Sequence, residues 1–211
     1  MTAPIIEVDN NVLEGFDKIG VSYRLFRSSQ SVDLQRDYIR IPSGLYVARQ
    51  RTLLGENWNE THKTLKFQGS RMPTPIEFVE FLRYVKLTNP KIYDEVTQVK
   101  SPWTAEWLDA KFEKRKDKMY ILTEDGTKAE PLDEDTLMED KCPGISLDSW
   151  LENPTSQGFP REDVKEGELY FWSPRNRRVA RFAVSDRAGL FCGSGPFGGV
   201  DYLGVRAVRR E

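Results

Sequence analysis

The chain has 211 residues, of which 38% are hydrophobic and 30% charged, with a net charge of −2. That is enough apolar material for one sizeable domain or two small ones, and nothing in the near-balance of charge suggests a general polyanion binder. No apolar run reaches the length of a membrane helix, and the opening MTAPIIEVDN has neither the basic nor the apolar region of a secretory leader, so none is expected.

Residues 4–50 read as strand-rich. Ile5 and Ile6, Val21 to Phe26, Tyr38 to Ile41 and Gly44 to Arg49 are β-prone runs between polar turns. The first helix is predicted over 71–87. Thr74 has N-cap chemistry, Pro75 fills the first helical position and Glu77 completes a capping box. Phe78, Phe81, Leu82 and Val85 then share one face, which Ile76, Val79 and Leu87 widen. Asn89-Pro90 ends the helix. A second helix is expected at 103–115, with Trp103, Trp107 and Leu108 on its apolar side and basic residues toward its C-terminus. Residues 118–123 read as a strand before an Asp125-Gly126 turn. Residues 124–168 read as long loops, and the acids between 124 and 140 as a solvated charge run. Strands return at Leu169 to Trp172, Val179 to Val184, Gly189 to Cys192 and Leu203 to Val208. Between the last two, GSGPFGGVDY is too rich in glycine for a helix.

Composition changes sharply near the end. Residues 169–210 contain no Lys, Glu, Gln or Met, whereas residues 1–168 contain 13 Lys, 17 Glu, 6 Gln and 4 Met. The same segment holds eight Arg and only two acids, Asp186 and Asp201. Aromatic, small and Arg residues in this mixture suit a binding surface. The alternative is a buried C-terminal sheet that excludes long flexible side chains.

Catalytic chemistry is sparse. His62 is the only histidine, and its context, WNETHKTLKF, reads as a surface loop. Cys142 and Cys192 are the only cysteines, without C-x-x-C or zinc spacing, and their redox state stays open. Cys192, inside a strand, reads as a small buried hydrophobe. The acids at 124–140 lack calcium-loop spacing. Interleaved Arg, Phe and Tyr could stack nucleic-acid bases, but the balanced overall charge does not favour that partner. No catalytic residue, metal ligand or cofactor is expected.

Two segments carry a resemblance. RMPTPIEFVEFLRYV (71–85) resembles the R-L-P-T-x-x-E-W segment of C-type lectin folds of the formylglycine-generating-enzyme type: Arg71, Pro73, Thr74 and Glu77 match, while Met72 replaces Leu and Phe78 replaces Trp. LGVRAVRR (203–210) resembles their G-F-R-x-x-R ending, through Gly204, Arg206 and Arg209, with Val205 in place of Phe. VARFAVSDRAGLF (179–191) sits where these folds place a core strand. The resemblance covers residues 35–210. It implies an α+β C-type lectin fold with mixed antiparallel sheets, two helices and long loops, preceded by a strand-rich extension over 1–34 packed on the main domain. The three-histidine iron site of some relatives is impossible here, and the paired active-site cysteines and the E-P-N or Q-P-D calcium tripeptides of others are missing.

Within this superfamily the chain resembles the variable proteins of diversity-generating retroelements. These end in a C-terminal region that an error-prone reverse transcriptase diversifies by replacing template adenines. Changes of that kind in AAC codons cannot reach Lys, Glu, Gln, Met or Trp. The resemblance therefore implies a variable region over 169–203, with Trp172 invariant and Pro174, Ala180, Arg181, Ser185 to Ala188, Leu190 and Leu203 onward as scaffold. Its implied ligand-binding positions are Phe171, Ser173, Arg175, Asn176, Ala183, Gly189, Phe191, Gly193, Ser194, Phe197, Gly198, Gly199, Asp201 and Tyr202. The alternation of Gly189, Phe191 and Gly193 puts one strand face outward, although Phe171 and Phe191 also suit ordinary core packing. The implied function is non-enzymatic binding of a protein or glycan on another surface, from a virion or a cell. The alternatives are a diverged enzyme of the formylglycine-generating type and an invariant structural viral or envelope component.

Overall fold

The computed structural model describes residues 33–123 and 127–210. The expected extension over 1–34, including its strands at Ile5 and Ile6 and at Val21 to Phe26, falls almost wholly outside them, as does the Asp125-Gly126 turn.

A short helix, α1 (Leu34–Asp37), is capped by Asp33 and leads into β1 (Tyr38–Arg40) and then β2 (Tyr46–Ala48). The two strands pair antiparallel, with Ile39 opposite Val47. Both lie in runs that read as β-prone.

Helix α2 (Trp58–Phe67) was not foreseen. Asn57 caps it by accepting from the Glu60 amide at 3.1 Å. Trp58, Thr61, His62 and Leu65 follow the 3.6-residue period and are buried. His62, expected on a surface loop, is therefore an interior residue. Its ring packs edge-on against Trp58 at 4.1 Å, and its Nε2 lies 3.3 Å from Asp109 Oδ1.

Helix α3 (Pro75–Thr88) forms as its local sequence dictates. Glu77 Oε2 accepts from the Thr74 amide at 2.9 Å, and Thr74 Oγ1 accepts from the Glu77 amide at 3.4 Å. Arg71 grips the same carboxylate with two contacts, at 2.6 and 2.5 Å. The helix buries Phe78, Val79, Phe81, Leu82 and Val85. Leu87 is 85% exposed, so the apolar stripe is narrower than expected. Asn89 ends α3 and caps α4 (Pro90–Thr97).

Residues 103–115 are not a helix. They form β3 (Thr104–Arg115), the longest strand among those described. Trp107, Leu108, Ala110 and Phe112 are buried on both faces, so the period of two that marks a half-exposed strand is blurred. Glu106 and Asp109 suggest a polar helix face, yet both are buried against basic partners, Arg206 and His62.

The remaining strands are β4 (Lys118–Thr123), β5 (Lys128–Pro131), β6 (Lys141–Ile145), β7 (Glu166–Gly167), β8 (Leu169–Trp172), β9 (Val179–Val184), β10 (Ala188–Ser194), β11 (Leu203–Gly204) and β12 (Val208–Arg209), with helix α5 (Leu147–Glu152) between β6 and β7. The stretch before residue 168 thus has more regular structure than long loops. Its acids are not simply solvated. Asp133 accepts from the Ser156 hydroxyl at 2.8 Å, and Asp135 pairs with Arg161 at 2.6 Å.

The domain is α+β. A three-stranded antiparallel sheet runs β1-β2-β12, and a nine-stranded mixed sheet runs β5-β4-β3-β9-β10-β8-β6-β7, with β11 parallel to β3. Strands β10 and β8 are also parallel. Leu169, Phe171, Ala180, Phe182, Val184, Leu190 and Cys192 share one apolar core with the buried face of α3. Burying each large side chain there contributes roughly 1.5–3 kcal/mol.

The C-terminal segment locks the two sheets together. Arg206 is buried between β11 and β12. Its Nη2 reaches Glu106 of β3 at 3.0 Å, and its Nη1 donates to the carbonyls of Ala48 and Arg49. The expected strand Leu203 to Val208 is split in two: Val205 forms an isolated antiparallel bridge with Thr52, and the irregular residues Arg206 and Ala207 separate β11 from β12.

Candidate ligand-binding face

Successive residues of a strand point to opposite faces. In β8, Leu169 and Phe171 enter the core while Tyr170 and Trp172 face out; in β9, Ala180 and Phe182 enter and Arg181 faces out; in β10, Leu190 and Cys192 enter and Phe191 and Gly193 face out. Register then aligns Trp172, Phe191 and Arg181 across three adjacent strands.

These side chains contact one another. The Trp172 and Phe191 rings stack, with centroids 6.4 Å apart and 17° between planes. The Arg181 guanidinium lies 5.3 Å from the Phe191 ring centre, and that of Arg175, from the loop after β8, lies 5.6 Å from the Trp172 ring. Arg187, from the β9–β10 turn, sits 4.8 Å over Tyr170 and hydrogen-bonds its hydroxyl. Tyr202 packs edge-on against Trp103 at 5.7 Å. The result is a strip of aromatic rings and guanidiniums along one sheet face. Each Arg–ring contact is worth about 0.5–1 kcal/mol near solvent, so the strip does little for stability. It does hold its side chains in fixed orientations before a partner arrives, which lowers the entropy cost of binding.

Two local devices set its geometry. A Cβ on Gly189 would lie 2.7 Å from Phe191 Cε2 and 3.1 Å from the Tyr170 carbonyl, so only glycine there lets the Phe191 ring lie along the sheet. Asp140 accepts from the Ser173 amide at 2.9 Å and hydroxyl at 2.8 Å, and it also pairs with Arg175, aiming that guanidinium toward Trp172. Partial burial works to raise the Asp140 carboxyl, but the Ser173 hydrogen bonds and the Arg175 charge outweigh it and hold it below the usual carboxylate range.

The residues expected to bind ligand divide into three groups. Arg175, Phe191, Gly193 and Tyr202 lie on or beside the strip. Phe197 is 81% exposed, and it, Gly198 and Asp201 belong to the exposed loop after β10; Ser194 is half-buried at its start. The rest are buried or held by their neighbours. Phe171 is fully buried in the core, Ala183 is buried, and Gly189 is covered by Phe191. Ser173 is buried on Asp140. Asn176 is exposed, but its Oδ1 accepts from the Lys114 amide at 2.9 Å. Gly199 is exposed, yet a Cβ there would meet the Gly55 carbonyl at 2.3 Å, so it tolerates no side chain without movement.

Tyr170, Trp172, Arg181, Arg187 and Trp103 join the face although none was expected to. Trp103 was assigned to a helix, and the others to scaffold or to no site. The signal for Tyr170, Trp172 and Arg181 was available: each alternates with apolar residues that enter the core.

Cys142 and Cys192 are free thiols on β6 and β10, with β8 between these strands. Burial, reinforced by Asp140, pushes the Cys192 thiol well above its usual range. Among the described residues, no group of three or more His, Cys, Asp or Glu is arranged to hold a metal ion. No described helix is long and apolar enough to cross a membrane. No protein-family model, curated protein or solved structure matches the chain.

Proposed function

We propose that this chain is a non-enzymatic, ligand-binding variable protein with a C-type lectin fold of the formylglycine-generating-enzyme type, whose outward C-terminal surface is diversified by retroelement adenine mutagenesis. One observation carries the reading. The ring-and-guanidinium strip is drawn almost entirely from the segment that lacks Lys, Glu, Gln and Met, and it stands on strands whose alternate residues form the core. Recognition and stability are thereby assigned to different residues of the same strands, and outward substitutions on such a frame cost little. The fold assignment draws support from the Arg71–Glu77 capping cluster and the buried Arg206, the residues that carry the family resemblance. The partner is a protein or glycan displayed on another surface.

The test lies in the DNA beside the gene. A second copy of the segment encoding residues 169–210, next to a reverse transcriptase and carrying adenine wherever the two copies differ, is the expected result. Absence of such a copy, or differences without adenine bias, would sink the reading.

A further inference from the structure

One guanidinium of the strip has neither an ionic nor a hydrogen-bonding partner among the described residues. Arg175 is paired with Asp140, and Arg187 hydrogen-bonds Tyr170. Arg181 has neither an ion pair nor a hydrogen bond among the described residues. Its Nε is closed off from solvent without a partner, while the residue as a whole is only half-buried. Its cross-strand neighbours are Phe191 and Trp107, both aromatic. A cation in such surroundings has lost water and gained little in return. Burial accordingly lowers its affinity for the proton, with Tyr202 opposing. Nε is closed off, but an anion brought by a partner to the Nη end of the guanidinium would offset part of what burial removed.

We propose that Arg181 anchors a carboxylate subsite, so that the strip binds an acidic segment of a partner protein. One Asp or Glu side chain of that segment meets Arg181, and an adjacent apolar side chain lies on the Trp172–Phe191 stack. This rests on the ligand-binding reading above. The planar guanidinium matches a carboxylate in two-point geometry. With Arg175 held by Asp140 and Arg187 by the Tyr170 hydroxyl, Arg181 offers a single vacant point of recognition, whereas a phosphate chain calls for a row of free cations. Exposed Trp103, edge-on to Tyr202, is a large aromatic side chain of the kind that, with Arg, anchors protein interfaces.

The test uses the full chain labelled with 15N at arginine. The Arg181 Nε–Hε signal is assigned by its loss in Arg181→Lys. The probes are the peptide acetyl-Gly-Phe-Asp-Phe-Gly-amide and its counterpart with Asn in place of Asp. The Asp peptide should shift the Arg181 signal saturably and bind about tenfold tighter than the Asn peptide. Arg181→Gln should abolish that preference while circular dichroism and Tm show an intact fold, and Arg40→Gln on β1 should retain it. Equal binding of the two peptides, no shift with either, or a stronger Arg181 response to a heparin oligosaccharide or single-stranded DNA would each overturn the proposal. The two readings fail separately. An adenine-biased second gene copy without acidic-peptide preference overturns only the carboxylate subsite, and acidic-peptide preference without such a copy overturns only the retroelement reading.

Discussion

The ring of Phe191 occupies the space above Gly189, with Cε2 2.7 Å from where a Cβ at 189 would stand. The two outward positions of β10 are therefore coupled. Gly189→Ala should displace the Phe191 ring, break its stack on Trp172 and cost roughly 1–3 kcal/mol. In Phe191→Ala only the Tyr170 carbonyl, 3.1 Å away, still crowds that position, so adding Gly189→Ala should cost less. A double-mutant cycle by urea unfolding checks this, and additive losses would count against it.

Arg206 is the residue whose loss should be most damaging. Its partner Glu106 is buried and would keep only the longer contact to Arg51, at 3.9 Å. Arg206→Met should destabilise by about 3–5 kcal/mol, and the double variant Arg206→Met/Glu106→Gln should recover part of that loss. Arg206→Lys should not rescue, because one ammonium cannot reach Glu106 and both backbone carbonyls together. Urea midpoints measure all three.

Glu77 should make stability acid-sensitive. Its burial works to raise the carboxyl, but Arg71 and the Thr74 hydrogen bonds outweigh it and hold the group below the usual glutamate range. The unfolded chain then takes up the proton at higher pH than the native state does. The contribution is fully present above the ordinary glutamate pKa and fades as pH falls through the depressed native value. Glu77→Gln should lower stability at neutral pH by about 1–3 kcal/mol and flatten the decline between pH 6 and pH 3. Equal slopes for wild type and variant would show that Glu77 is not the source.

The two thiols should separate by reactivity. Cys142 is exposed and Cys192 buried, and burial raises both thiols, Cys192 well above its usual range. A thiol reagent should modify one cysteine of the native protein and the second only in denaturant. Rapid modification of both without denaturant would contradict the packing of β10.

Phe171 and Trp172 are adjacent but should behave as opposites. Phe171→Ala should cost about 3–5 kcal/mol through the cavity it leaves, while Trp172→Ala, on the outer face, should cost far less and act on binding instead. Thermal unfolding of the pair compares them directly.

Legibility followed the range of the interactions. Helix α3 was readable because its cap, its proline and its apolar stripe lie within one short segment. Helix α2 is equally local, with Asn57 and Glu60 at capping spacing and its buried residues at the 3.6-residue period, so the same kind of cue was present there. Strand β3 was not readable. Its Glu106 and Asp109 make sense only beside Arg206 and His62, which the fold brings from distant parts of the chain. On the candidate face, strand alternation found Phe191 and Gly193. Trp172 and Arg181 were set aside as scaffold, on codon grounds and by family position, and neither says which way a side chain points.

The division of β10 between core and surface also limits what kind of change the chain can absorb. Leu190 and Cys192 alternate with Phe191 and Gly193, so a single inserted or deleted residue would drive Phe191 into the interior and leave Leu190 in solvent. Strands β8 and β9 impose the same reading frame. Variety on this face can be generated only by exchanging letters at fixed length. Changes in length are confined to the connections between these strands and to the loop beyond Ser194, where the face could grow taller rather than merely change its chemistry.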